Sequence, residues 1–285
     1  MNPIESQKLF LPLDLIQESF STQGWVLLRG YDFDVYSFSE LMHSLCGDLT
    51  FDPARDFASK DAQVVDAGTA PVGLHIENGN TPMPPDIVAF YSALSATKGS
   101  QTTICDGHAV YQALSQSLRE LFSNEMSVSR FLPDQMWKRY VATALKIEDW
   151  EAVTLQDLER FCSVVPNQRF EPLADGGIQY QLRFAPIRND NFAGLPSFAN
   201  AILGPSYNYA APVYRFADGS EMPASMKDEL EALAEEFTQE VQWQDGDVVV
   251  IDNKRVMHGR REITVPLSER KLYIGMGLNH RLTSM

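Results

Sequence analysis

Paired cysteines are missing from this 285-residue sequence. Cys46, Cys105 and Cys162 are odd in number and far apart, so neither a disulfide framework nor a Cys-x-x-Cys metal site is expected. They suit a reducing, intracellular setting. Basic residues are scarce as well: 23 lysines and arginines stand against 38 aspartates and glutamates, for a formal net charge of −15. No basic run is present to grip a phosphate backbone, so no nucleic-acid partner is expected. The acidity serves solubility. No apolar run approaches the ~18 residues of a membrane span. Met1 to Gln17 mixes charge and proline with apolar residues and lacks a basic start followed by an apolar core, so no secretory leader is expected. Together these absences lead to the expectation of a cytoplasmic protein without a membrane partner. Internal repeats, low-complexity tracts and hinge-like linkers are absent too.

What is present is 44% hydrophobic residues, enough for one large core. Short strands alternate with Pro/Gly turns. They are expected at Trp25 to Arg29, around His75, at Ile87 to Tyr91, Gln101 to Cys105, Ile178 to Phe184, Val248 to Ile251, from Val256, and at Arg270 to Leu278. Helical spacing predicts helices over 13–23, over 36–45 with Gly47 at the end, over 107–122 behind an Asp106 cap, over 134–145 and 154–163, and over 224–241. The expected class is α+β, a barrel or jelly roll decorated by helices. One domain over 1–285 is expected, with an insert and lid region over about 125–206; the irregular stretch 189–206 is the candidate lid.

The chemistry gathers at Leu74-His75-Ile76-Glu77-Asn78. Side chains of a strand alternate faces, so His75 and Glu77 share one. An imidazole and a carboxylate on one face lack one partner to form a 2-His-1-carboxylate site. His258 follows a buried strand and can supply it. Such a triad leaves open positions on Fe(II), although its ligand types also suit Zn(II), Mn(II) or Co(II). His43 and His108 have no neighbouring ligand and are expected to be packed or at the surface.

Several further stretches then make the chain resemble a known family. They are Gly99-Ser100-Gln101-Thr102, the helix with Tyr111-Gln112-Ala113-Leu114-Ser115, and Trp243-Gln244-Asp245-Gly246-Asp247 running through Val248-Val249-Val250-Ile251-Asp252-Asn253 to His258-Gly259-Arg260-Arg261, with Arg270 beyond. With the His-x-Glu triplet they resemble the taurine dioxygenase/clavaminate synthase-like branch of the Fe(II)- and 2-oxoglutarate-dependent oxygenases. The resemblance implies a double-stranded β-helix (jelly-roll, cupin-like) core flanked by helices. It also implies Fe(II) on His75, Glu77 and His258, and 2-oxoglutarate and O2 as co-substrates. Thr102 and Arg270 fall where the family anchors 2-oxoglutarate. A buried distal carboxylate needs a partner, which a planar guanidinium and a hydroxyl can provide. The implied reaction is hydroxylation of an unactivated C–H bond in a small substrate, releasing succinate and CO2.

Two departures from the family pattern stand out. Ser100-Gln101 replaces the usual Gly-Asp, which leaves Thr103 as an alternative to Thr102. Glu77 stands where many members have aspartate; glutamate resembles the members acting on amino acids or their derivatives, and its presence argues against halogenation. Asn78, Arg183 and Arg188 are the candidate substrate contacts. Desaturation or ring formation with the same cofactors remains an alternative, as do a Zn hydrolase and a non-catalytic jelly-roll metal-binding protein. Arg270 and Thr102 count against the hydrolase. The oligomeric state stays open, a dimer being one option.

Overall fold

The β-branched run Val248 to Ile251 explains the architecture. In the computed structural model, which describes residues 12–66, 68–165, 167–204 and 211–282, the strand Val248–Asp252 is buried throughout. It pairs antiparallel with Trp25–Leu28 on one side and Ile87–Leu94 on the other. Alternation sends Val248 and Val250 to one face, where they pack with Phe20, Phe38 and Leu41 of helices Leu13–Thr22 and Val35–Leu45. Val249 and Ile251 point the other way, to Phe90, Ile104, Val256 and Ile274. A strand covered on both faces needs no polar alternation, hence the uninterrupted run.

Among the described residues, the sheet containing this strand has the order Trp25–Leu28, Val248–Asp252, Ile87–Leu94, Lys271–His280, Cys46–Thr50, with Gln63–Val64 attached to Lys271–His280. A second, four-stranded antiparallel sheet has the order Thr238–Val241, Thr102–Asp106, Val256–Arg260, Val72–His75. The inner faces of the two sheets share one apolar cluster. This is the expected jelly-roll core, with helices on its outside. The Val256–Arg260 strand lies between its partners, so one residue, His258, is in register with both Ile104 and His75.

Among the described residues, four further strands build a separate sheet, ordered Val213–Arg215, Met126–Leu132, Ile178–Phe184, Gln168–Pro172. Helices Asp134–Leu145 and Leu155–Val164 pack on it through Trp137, Val141, Leu158 and Phe161. The same cluster contains Leu74, Ile76 and Met257, so this region is packed onto the strands that bear the histidines.

Several boundaries differ from expectation for physical reasons. The 224–241 helix stops at Glu235, and Thr238–Val241 is a strand paired with Thr102 to Cys105. Phe237 and Val241 satisfy a helical stripe, and sheet pairing overrides it. The 107–122 helix is two helices, Gly107–Ala113 and Gln116–Phe122, because the Ser115 hydroxyl accepts the Leu118 N–H and caps the second. Gly47 does not end a helix; it lies in Cys46–Thr50, against Asn279. The 189–206 stretch is no loose lid where it is described. Phe198, Asn200, Ile202 and Leu203 are buried, and the Asn200 carbonyl accepts the Ile76 N–H. Residues 205–206 lie outside the described residues, as does most of the stretch considered for a leader. No described helix is long and apolar enough to cross a membrane.

Candidate metal centre and co-substrate pocket

His75 is the last residue of the strand Val72–His75, and its backbone neighbour across the ladder is His258. The two rings lie 4.6 Å apart between centroids. The His75 Nδ1–H donates to the Gly73 carbonyl at 2.8 Å. A carbonyl only accepts, so the proton sits on Nδ1 and the Nε2 lone pair is free to ligate.

Glu77 is not in the strand, contrary to the alternation argument; the ladder ends at His75 and a turn begins at Glu77. Fully buried Asn253 holds it instead. The Asn253 Oδ1 accepts the Glu77 N–H at 2.8 Å, and its Nδ2 donates to the carbonyls of Glu77 and Pro85. The carboxylate thereby reaches the histidines: His258 Nε2 and Glu77 Oε2 are 3.4 Å apart. The other oxygen, Oε1, accepts from Arg55 Nη2 at 3.2 Å, and Arg55 also faces Asp52. One donor atom from each of His75, Glu77 and His258 lies within 4.8 Å of the other two.

The electrostatics keep the His75 ring neutral and the Glu77 carboxyl ionised. Burial, with neighbouring His258 as the next cause, lowers the His75 pKa to about 4. Burial alone would raise the Glu77 carboxyl, but the Arg55 guanidinium and the His258 ring outweigh it and hold the carboxyl well below its usual range. Neutral imidazoles and an ionised carboxylate are the forms a metal needs.

The triad opens onto a cavity of about 910 Å³ that also contains Asn78, Thr102, Arg260 and Arg270. Arg270 is buried on one wall. Its Nε–H donates to the Ser100 hydroxyl at 3.1 Å and its Nη1–H to the Val65 carbonyl at 2.8 Å. Gly99 and Ser100 both adopt positive φ, a turn that aims this hydroxyl at the guanidinium. Nη2 is buried with no hydrogen-bond partner among the described residues. Burial and the charge of Arg260 lower the Arg270 pKa to about 10, so the group stays cationic near neutrality. Beside it, Thr102 Oγ1 accepts from the Trp243 indole N–H at 3.0 Å, which leaves the threonine O–H free to donate into the cavity. Thr103 does not line the cavity.

The other sequence candidates separate. Asn78 lines the cavity with φ +54, a left-handed conformation that asparagine tolerates. Arg183 and Arg188 are not brought to the triad. They line a second cavity of about 350 Å³. There Arg188 forks onto Asp190 at 2.7 and 2.8 Å, and Arg183 meets Asn167 and Glu125. His43 pairs with Asp61, and His108 with the Pro196 carbonyl. Sequence reasoning missed Arg55, Asn253 and Trp243 as parts of the site. Trp243 and Asn253 lie within a motif whose spacing was read but whose side-chain contacts were not. Arg55 comes from a polar loop with no local signal.

Two imidazoles and one carboxylate with donor atoms within 4.8 Å of one another, opening onto the same cavity as a guanidinium with one buried unsatisfied nitrogen, fit a metal with open positions and a chelating dicarboxylate. The comparisons agree. The family model described as "Taurine catabolism dioxygenase TauD, TfdA family" matches residues 7–275. The chain is 26% identical over 277 residues to the dapdiamide synthesis protein DdaC of Enterobacter agglomerans, covering 86% of this chain and 80% of that one. It is 25% identical over 295 residues to a clavaminate synthase-like protein of Arabidopsis thaliana, covering 92% and 83%. A solved taurine dioxygenase of Burkholderia xenovorans shares the fold, with TM-score 0.59 at 13% identity over 94% of this chain and 80% of that one. The chain belongs to the TauD/TfdA dioxygenase family. It is an Fe(II)- and 2-oxoglutarate-dependent dioxygenase, an oxidoreductase that consumes O2 and acts on a small molecule.

Proposed function

We propose that this dioxygenase hydroxylates an unactivated C–H bond of an amino acid or amino-acid derivative in secondary metabolism, through a single oxygenase domain spanning 1–285. One observation carries the site assignment: the three donors open onto the same cavity as the buried, unsatisfied Nη2 of Arg270. In this reading His75 Nε2, Glu77 Oε2 and His258 Nε2 hold Fe(II). Bound Fe(II), with 2-oxoglutarate and O2, supplies the oxidant that takes hydrogen from the substrate and yields succinate and CO2.

The protein's part is placement and exclusion of water. The Gly73 carbonyl fixes the His75 tautomer. Arg55 draws Oε1 of Glu77 to itself and so turns Oε2 toward the histidines. Arg270 and Thr102 grip the distal carboxylate of 2-oxoglutarate, and Asn78 contacts the substrate from the cavity wall. Trp243 orients the Thr102 hydroxyl by occupying its acceptor side. Trp243→Phe removes that constraint. One neutral hydrogen bond is worth about 1 kcal/mol, so the apparent KM for 2-oxoglutarate is expected to rise roughly fivefold with kcat little changed. An unchanged KM would detach Trp243 from the anchor.

A succinate-release screen over free amino acids, their N-acyl derivatives and small carboxylates tests the function. Substrate-dependent succinate with a product heavier by one oxygen supports hydroxylation. A product lighter by two hydrogens reassigns the enzyme to desaturation or ring closure, and release with no amino-acid-type compound contradicts the substrate class.

A further inference from the structure

The cavity extends beyond the triad to a wall supplied entirely by the insert, and this wall has its own chemistry. Arg130 stands on Met126–Leu132 and Arg139 on the helix Asp134–Leu145, and both line the cavity. Arg130 occupies the inward phase of its strand, the phase of buried Met126 and Val128, and is paired across the ladder with Tyr180. A strand residue in that phase is ordinarily apolar. Arg139 lies over the Trp150 ring at 4.9 Å, and its Nε is buried with no hydrogen-bond partner among the described residues. Tyr140 completes the polar surface. Its phenol lies against the Thr81 hydroxyl, and burial pushes its pKa up to about 12, so it remains a neutral donor.

No described residue of the insert that lines the cavity is a carboxylate. The cavity's acids, Asp52, Asp66 and Glu77, all come from the jelly-roll side, and Arg55 is already engaged with two of them. Five arginines thus line the cavity against three carboxylates, in a chain where acids outnumber bases. Fe(II) and a 2-oxoglutarate dianion cancel each other in charge, so the positive excess persists in the loaded enzyme. The rest of the insert's lining is largely apolar and aromatic, including Trp137, Leu158 and Phe161, with Gln135 and Gln168 among it. The geometry points to a carboxylate-anchoring subsite formed by Arg130 and Arg139. It takes the free carboxylate of an amino-acid-type substrate with an apolar body and leaves the far end of that body at the metal. The inference rests on the dioxygenase function proposed above and deepens it. A substrate tethered to a carrier as a thioester has no such carboxylate, so the enzyme acts on free acids.

The test uses the full-length protein with Fe(II) and 2-oxoglutarate under anaerobic conditions, where the charge-transfer absorption of the metal–2-oxoglutarate complex is read first. Its absence would count against the dioxygenase site and leave this subsite out of the result. Leucine, phenylalanine and their N-acetyl derivatives are then titrated, each against its carboxamide, in which a neutral group replaces the carboxylate. Binding is followed by the perturbation of that band and by calorimetry. At least one acid is expected to bind at least about tenfold more tightly than its amide. Arg139→Gln and Arg130→Gln are each expected to shrink that preference to about threefold or less. Melting curves establish that the variants are folded, and because each preference is a ratio within one protein, a general loss of stability does not move it. Equal binding of acid and amide, a preference that survives both substitutions, or no binding by any probe would overturn the proposal.

Discussion

Replacing His258 with alanine is expected to cut substrate-dependent succinate formation to below about one-thousandth of the wild-type rate, about 4 kcal/mol in barrier terms. The reason is local. His258 is buried on a central strand with its Nε2 3.4 Å from Glu77 Oε2, and among the described residues only His75 and Glu77 share its donor cluster, so no other described donor stands ready to replace it. Its backbone ladder bonds to the strands of Ile104 and His75 do not depend on the ring, and the sheet should persist. The ring also packs edge-on against Phe90, so truncation opens a void. His258→Gln keeps much of the volume while changing the donor. Low activity in both variants with cooperative melting in both assigns the loss to ligation; recovery in the glutamine variant would assign it to packing. Anaerobic Fe(II) binding by calorimetry should weaken in parallel. Arg188→Ala, whose guanidinium is tied to Asp190 in the second cavity, should alter neither readout.

Arg270→Ala is expected to have the second-largest effect, on 2-oxoglutarate and not on the metal. Removing one partner of a buried, hydrogen-bonded charge pair costs about 2–5 kcal/mol, roughly 30-fold to several-thousand-fold in affinity. Equilibrium titration of 2-oxoglutarate into the Fe(II) protein measures it. Arg270→Lys keeps a charge but loses the fork, and it also loses the two bonds that hold the guanidinium to Ser100 and Val65. It should therefore recover only part of the affinity. Wild-type affinity in the alanine variant would move the distal carboxylate elsewhere, with Arg260 the first alternative, since it lines the same cavity.

The grouping of His75, Glu77 and His258 was legible from residue type and order, whereas Arg270 was expected because it falls where the resembled family anchors 2-oxoglutarate. His75 and Glu77 lie two apart, and His258 follows an unmistakable buried strand. How Glu77 is held was not legible. Asn253, 176 residues away, supplies the contact that a strand ladder was expected to make. The departure Ser100-Gln101 became intelligible only in three dimensions, where a serine at positive φ accepts from Arg270. Of the insert sheet only Ile178 to Phe184 was expected as a strand, and Met126–Leu132 was hidden for a related reason. In Met126–Leu132 the inward phase reads Met, Val, Arg, Leu, and Arg130 breaks the alternation that marks a strand. The residue that obscured the element is the one whose placement gives the cavity its positive wall. The 189–206 stretch looked like a lid because Gly, Pro and Asn are frequent in it. Phe198, Ala199, Ile202 and Leu203 nonetheless fill the core beside the strand that bears His75, which a composition argument has no means of seeing.

Anaerobic addition of Fe(II) and then 2-oxoglutarate to the apoprotein, followed by visible absorption, tests the central claim most directly. The predicted result is a charge-transfer band that saturates at one metal and one 2-oxoglutarate per chain. It should vanish in His258→Ala and require far more 2-oxoglutarate in Arg270→Ala. A wild-type protein that binds Fe(II) without developing the band, or develops it unchanged in His258→Ala, would contradict the account.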